Sequence, residues 1–235
     1  MSAWSAKRFW KQATASACDG GFTVTLDGRA VKTPAKAPLV VPTLAMAEAI
    51  ALEWDAQSGV IKPDTMPVTR AANSALDKVA PQFAEVAGLL AAYGETDLLC
   101  YRATAPQELI DRQAQGWDPV LAWAAQEYAA PLLVTAGVVH ITQPEASTRA
   151  LSQALHQLDP FRLAAAHDLI AISGSLVLAL AVLRKNLTAA QAWQLSRIDE
   201  AWQNELWGVD EEAARLESYK QEALFAAERF FGLCG

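Results

Sequence analysis

Bulky residues alternate with small or polar ones through FTVTL and again through RAVKT, with Asp27-Gly28 between the two runs. A period of two marks a half-buried strand, and Asp-Gly suits a two-residue hairpin turn because both central positions need positive φ. RFWKQA before the hairpin and PLVVP after it, the latter bracketed by Pro38 and Pro42, read as further strands of a small antiparallel sheet. The period then changes. Leu44, Ala47, Ile50, Ala51 and Trp54 fall at helical spacing, predicting a helix capped by Thr43, stopped by Gly59 and laid over one face of the sheet.

Beyond the proline-punctuated IKPDTMP the patterns are long and helical, first VTRAANSALDKVA and then PQFAEVAGLLAAY. DLLCYRA and PLLVTAG are strand-like, although periodicity alone does not separate a short strand from a buried helix segment. From Pro144 onward every segment reads as helix. Asp159-Pro160 is a helix start, and Thr188 with Gln191 forms a capping box that opens a helix running to about Trp207. Gly208 ends it. Asp210-Glu211-Glu212 then begins a last helix with Leu216, Ala223, Ala227 and Phe230 on one stripe. The fold class expected is α+β: a small N-terminal α/β domain with an antiparallel sheet over residues 1–65, then a multihelical C-terminal domain over 66–235, the boundary lying anywhere up to about residue 100.

The most apolar stretch, LIAISGSLVLALAVL at 169–183, is fifteen residues without a charge. A membrane-spanning helix needs about 20 apolar residues, and His167, Asp168, Arg184 and Lys185 flank this run closely. Nor does ISGSL fit the G-x-S-x-G turn of a nucleophilic serine. It reads as a core helix enclosed by others, with Gly174 allowing a close helix crossing.

Composition narrows the function. Among 235 residues 52% are hydrophobic, so a sizeable core is available, and 19 basic residues against 26 acidic give a net charge of −7. Nucleic acid and anionic membrane surfaces both call for concentrated positive charge, so no nucleic-acid partner and no stable membrane insertion are expected. Cys18, Cys100 and Cys234 are too dispersed for a disulfide framework or a zinc knuckle, and His140, His156 and His167 lack metal-ligand spacing. No metal or other cofactor is expected. The first residues, MSAWSAKRFWKQA, carry no signal-peptide or transit-peptide pattern.

Candidate chemistry concentrates near residue 200. Placed on one helix, Leu195, Ile198, Trp202 and Leu206 form a core-facing side, and Trp193, Glu200, Asn204 and Trp207 form a second stripe with an acid among tryptophans. Such a stripe either packs beneath a neighbour, with Glu200 paired to an arginine at its rim, or faces a partner. Asp199 sits at the edge of the core side, placed for a structural hydrogen bond. The acids from Asp210 to Glu212 are accounted for by helix capping and the helix dipole.

KRFW, LDGRAVKTP, PLVVPT, ALEWDAQ, TMPVTRAANSALD, DLLCYR, QAQGWDPVLAW, SGSLVLALA and DEAWQNELWGVDEEA, in this order over nearly the whole chain, resemble the assembly chaperone family of the ATP synthase catalytic head, the member dedicated to the alpha subunit. The resemblance implies a non-enzymatic chaperone that transiently binds the unassembled alpha subunit, shields its subunit interface from aggregation and releases it to the beta subunit. It also implies a functional acid in the helical part, placed at Glu200 with Asp199 as the alternative. Glu200, Asp199, Trp193, Asn204, Trp207 and Asp210 make up the expected partner-binding set, on a protein that is a monomer when free. Because the chain reaches KRFW almost at once, a bacterial cytoplasmic setting is expected, a mitochondrial one being reserved for relatives with a targeting extension. The competing reading is an enzyme or small-ligand protein, which requires Asp199, Glu200 and Asp210 to converge in a pocket.

Overall fold

The computed structural model describes residues 7–235. The leader reading of MSAWSA, and the start of the 1–65 domain, lie outside the described residues. The chain forms two compact units, neither continuous in sequence: Met1–Phe83 with Pro160–Ala165 and Arg229–Gly235, and Ala84–Asp159 with Ala166–Glu228.

The first unit holds an antiparallel sheet of β1 (Ala13–Cys18), β2 (Gly21–Leu26) and β3 (Arg29–Ala30) in that order. Leu26 pairs with Arg29 across the turn, where Asp27 at φ 48° and Gly28 at φ 82° give the expected two-residue hairpin. The preceding strand is displaced from the sequence expectation. RFWKQA is not a strand, because the Arg8 guanidinium gathers this stretch by donating to the carbonyls of Trp10, Lys11, Asp55 and Gln57. The Asp27 carboxylate takes the amides of Lys11 and Gln12, which hold it below the usual carboxylate range. The paired strand is ATASAC instead, in register from Ala13↔Leu26 to Cys18↔Gly21. PLVVP contributes single bridges only, Val41 exchanging bonds of 2.9 and 2.8 Å with Phe22, since Pro38 and Pro42 limit any longer ladder.

Helix α1 (Leu44–Asp55) packs on β1 and β2. The Thr43 hydroxyl caps it, accepting from the Met46 amide at 3.1 Å while donating to the Leu233 carbonyl at 2.5 Å. It ends at Asp55, four residues before Gly59. Glu53, in the last turn of α1, caps the next helix, α2 (Pro67–Ser74), by accepting from the Val68 and Thr69 amides at 2.8 Å each. Helical backbone continues through a π turn at Ala75–Val79 and a 3-10 turn at Ala80–Gln82 into α3 (Phe83–Ala91). Pro81 has no amide to donate, and the ladder widens and tightens around it without stopping.

In the second unit the strand-like segments shrink to two residues each, β4 (Tyr101–Arg102) paired in parallel with β5 (Thr135–Ala136). The remainder is helical: all of α3 but its first residue, α4 (Gln107–Glu127), α5 (Glu145–His156), the greater part of α6 (Pro160–Ser173), α7 (Leu176–Leu183), α8 (Ala189–Ser196), α9 (Ile198–Trp207) and most of α10 (Glu211–Gly232). The apolar run 169–183 is two helices, not one. Gly174, at φ 72°, breaks it, and a Cβ there would come no nearer than 3.9 Å to Leu98, so the glycine serves a turn rather than a close crossing. All eight residues of α7 are buried, and no helix among the described residues is long and apolar enough to cross a membrane.

A fully buried helix must satisfy its first amides without water. Ser175 accepts from Leu178 N–H at 3.0 Å and donates to Asp97 Oδ1 at 2.8 Å, while Asp97 Oδ2 accepts from Val177 N–H at 3.0 Å. Asp97 also accepts from the amide of Leu99, two residues on, at 3.0 Å. The carboxyl lies wholly inside the unit, and burial raises its pKa to about 6 against the pull of these donors.

Two further corrections concern the C-terminal helices. The Thr188–Gln191 capping box is formed, but the helix it opens ends at Ser196, and Arg197 at φ −122° separates α8 from α9. In α10, whose Ala213 amide is capped by Asp210 at 2.8 Å, Leu224, Ala227 and Phe230 are buried while Leu216 is 56% exposed. The stripe drawn from Leu216 therefore begins about two turns too early.

Asp97 yields a pH prediction. Its folded pKa is raised, so its contribution favours folding below the unfolded value of 3.8 and is lost as pH rises toward about 6. On this account wild-type stability, relative to Asp97→Asn, should be greater at pH 5 than at pH 7 by roughly 1 kcal/mol. Urea unfolding of both proteins at the two pH values measures that difference.

Candidate functional site

Helix α4 positions the region around residue 200 through a ladder of side chains. Trp117, buried, donates its indole N–H to the Leu195 carbonyl at 2.8 Å, one of the acceptors left over at the end of α8. One residue earlier Gly116 leaves room for Ile198 and Leu195, whose terminal carbons would stand 2.9 Å from a Cβ at this position. Gln113, 1% exposed, accepts from Ala103 N–H at 2.8 Å and donates to Asp199 Oδ1 at 2.6 Å. Arg112 grips Glu205 with two bonds of 2.7 and 2.9 Å, and its guanidinium lies 5.0 Å from the Trp202 ring centroid. That pairing raises Arg112 and holds Glu205 below the usual carboxylate range. Rising residue numbers on α4 meet falling numbers on α8 and α9, so the two sides run in opposite senses.

Arg197 fixes the break between α8 and α9. It donates to Glu217 at 2.7 Å, to the Ile172 carbonyl at 2.8 Å and to the Ser196 carbonyl at 3.0 Å, with its guanidinium 4.4 Å from the Trp193 ring centroid. Burial would raise the Glu217 carboxyl, but the hydrogen bond from Lys220 and the charge and bond of Arg197 leave it lowered.

Against this frame the six expected residues separate. Trp193 lies on α8, half-buried beneath Arg197, and not on a common stripe with the others. Asp199 turns toward α4 and is occupied by Gln113. Glu200 faces outward, its side chain 53% exposed and 3.9 Å from Arg197. Asn204 is exposed, Trp207 is 78% exposed, and Asp210 caps α10. Leu206, expected on the core side, is 56% exposed, because only Ile198 of α9 reaches the interior and Trp202 is half-covered.

Asp199, Glu200 and Asp210 thus each have a separate partner and do not converge as an acidic catalytic pocket requires. Among the described residues no three His, Cys, Asp or Glu side chains are grouped to hold a metal ion. A shallow hollow of about 370 Å³, lined by residues including Tyr128, Gln153, Gln157 and Arg184, contains none of the three acids.

What is assembled instead is an elbow at the junction of α9 and α10. Leu206, Trp207, Val209, Leu216 and Tyr219 are all more than half exposed there, and no Lys or Arg occurs between Ile198 and Ala214. Glu200, Asp210, Glu211 and Glu212 supply exposed acids to the same stretch. The sequence reading missed Val209, Leu216 and Tyr219 as surface residues. The signal available was the absence of a second apolar neighbour for a helix already using Ile198 and Trp202 inward.

The model of the ATP12 chaperone protein family matches residues 7–125. This chain belongs to the ATP12 chaperone family. The match ends before the elbow, but relatives extend the likeness over it. Atp12 of Paracoccus denitrificans is 49% identical with a TM-score of 0.96, covering 99% of this chain and 100% of that one. An aspartate-to-lysine mutant of the same P. denitrificans protein matches over 100% of both chains, again at 49% identity and a TM-score of 0.96. The Atu1473 protein of Agrobacterium tumefaciens is 40% identical with a TM-score of 0.94 over 97% of this chain and 86% of its own. In sequence, the mitochondrial protein atp12 of Schizosaccharomyces pombe is 24% identical over 98% of this chain and 83% of its own length. These matches agree with the family named from the ordered sequence blocks and with its α+β, mostly helical fold.

Within this ATP12 chaperone the α4 ladder carries an energetic consequence. Trp117→Phe removes the bond to the Leu195 carbonyl and leaves a small void, and should destabilise the protein by about 2 kcal/mol. The midpoint of urea denaturation, with unchanged slope, measures the loss.

Proposed function

We propose that this ATP12-family protein is an assembly chaperone that binds the unassembled alpha subunit of the ATP synthase F1 head, and that its α9–α10 elbow is the surface that does so. The observation carrying this reading is the exposed row Leu206, Trp207 and Val209 beside Glu200 and the acids 210–212, on a stretch without cations. Exposed apolar side chains that gather in one stretch mark an interaction site, and interfaces of obligate complexes are themselves large and apolar. Covering the subunit's interface keeps it from aggregating. The acidic rim suits a patch whose own rim carries Lys or Arg, which would speed encounter and set register.

Glu200 orients the partner by charge, Asn204 and Trp207 supply a polar and an aromatic contact, and Asp199, Trp193 and Asp210 hold the elbow in shape from behind. Exchange with the beta subunit releases the client, which requires only a difference in affinity and no energy source. No bond is made or broken in this cycle. The bacterial relatives from P. denitrificans and A. tumefaciens support a bacterial cytoplasmic setting, and the fission-yeast relative is named mitochondrial.

Purified protein should suppress aggregation of isolated alpha subunit without ATP, and added beta subunit should displace it. Trp207→Ala and Glu200→Lys should each weaken the alpha complex about tenfold or more with the melting temperature nearly unchanged, as expected for exposed hot-spot positions. Light scattering and sizing chromatography read these outcomes. Failure of wild-type protein to form a complex with alpha would overturn the proposal.

A further inference from the structure

Helix α9 is held unevenly. Its first turn is fixed by the burial of Ile198 and by the Gln113–Asp199 bond, whereas residues 203–207 are all exposed. A helix of ten residues is marginal on its own, and its last turn, with no buried residue, gains nothing from packing. Yet Asn204 and Trp207, the outward residues of the elbow, are carried on this turn. The tie across to α4 is Arg112, whose planar fork makes two bonds to Glu205 while its face covers Trp202.

We propose that Arg112 is a positioning residue for partner binding: it holds the last turn of α9 helical, so that Asn204 and Trp207 are presented in a fixed arrangement before the partner arrives. This rests on the reading of the elbow as the alpha-subunit site and adds a residue outside it. The physical reason is preorganisation. A turn that frays in the free protein must be ordered on binding, and the cost of that ordering is subtracted from the affinity. Lysine is a poor substitute, because a single ammonium cannot make two parallel bonds to a carboxylate and cover an indole face together. Arg112 and Glu205 are both substantially solvent-exposed, so their pairing adds little to global stability and its loss should be felt locally.

The experiment uses the full chain with purified F1 alpha subunit as probe and compares wild type, Arg112→Ala, Arg112→Lys, Trp207→Ala and Glu200→Lys. Three quantities are read: affinity, melting temperature, and amide hydrogen exchange over residues 203–207. Arg112→Ala should speed exchange in that turn about tenfold, leave α4 and the first turn of α9 protected, and weaken alpha binding by about tenfold at an unchanged melting temperature. Arg112→Lys should fall between alanine and wild type in both exchange and affinity. The inference is overturned if Arg112→Ala binds within twofold of wild type while Trp207→Ala or Glu200→Lys binds weakly. It is also overturned if affinity is lost with exchange unchanged, which would make Arg112 a direct contact. Should all four variants bind like wild type, the assignment of the elbow itself fails, and the role of Arg112 with it.

Discussion

The second unit is organised around one buried carboxylate at one helix end. Helix α7 has no face toward water, so its opening amides have only protein groups to bond with. Asp97 and Ser175 meet that demand, and in doing so they tie the turn at 97–100 to the turn at 173–175, where Leu98 N–H also reaches the Gly174 carbonyl at 3.2 Å. A charge-bearing group is tolerated here because it faces the positive end of a helix and several donors. The arrangement explains why the most apolar segment of the chain is interrupted at all: a continuous helix would supply its own amides with partners, but it would pass the place where Asp97 enters.

From α7 the constraint passes outward by contact. Helices α4 and α8 both pack on α7, so the register between them is set before α9 begins. Helix α4 then presents Trp117, Gly116, Gln113 and Arg112 to the end of α8 and to α9, where they meet in turn a carbonyl, two aliphatic side chains, one carboxylate oxygen of Asp199 and both carboxylate oxygens of Glu205. Arg197 closes the arrangement at the break. Burial thus falls off along α9 until Trp207 stands in solvent. The gradient leaves α9 with a rigid base and an uncovered end, the geometry on which the proposed interaction surface rests.

The family model reaches only residue 125, which covers the sheet, α1 to α3 and most of α4. The elbow lies beyond it, in a part of the chain whose fold is shared with the Paracoccus protein over its full length. Under the proposed function, an interface of exposed apolar area with a charged rim would suit a chaperone that gives up its client, because such a surface releases when a larger and better-fitting interface competes for the same patch.

Local chemistry was legible in the sequence. The Asp27-Gly28 turn, the Thr43 cap, the Thr188–Gln191 box, the stop at Gly208 and the Asp210 cap each depend on groups within about four residues of one another, and all are in place. The sharing of α9 between an inward and an outward side was also legible, as was the structural bond expected of Asp199. Tertiary structure decided the rest. ATASAC carries too little contrast between its residues to announce a strand, and it becomes one because β2 lies beside it. The breaks at Gly174 and Arg197, and the exposure of Leu206 and Leu216, follow from which neighbours arrive at Asp97, Glu217 and α4. Periodicity tells which side of a helix is apolar. Whether anything comes to cover that side is settled by chain segments tens of residues away, and their meeting is a property of the fold.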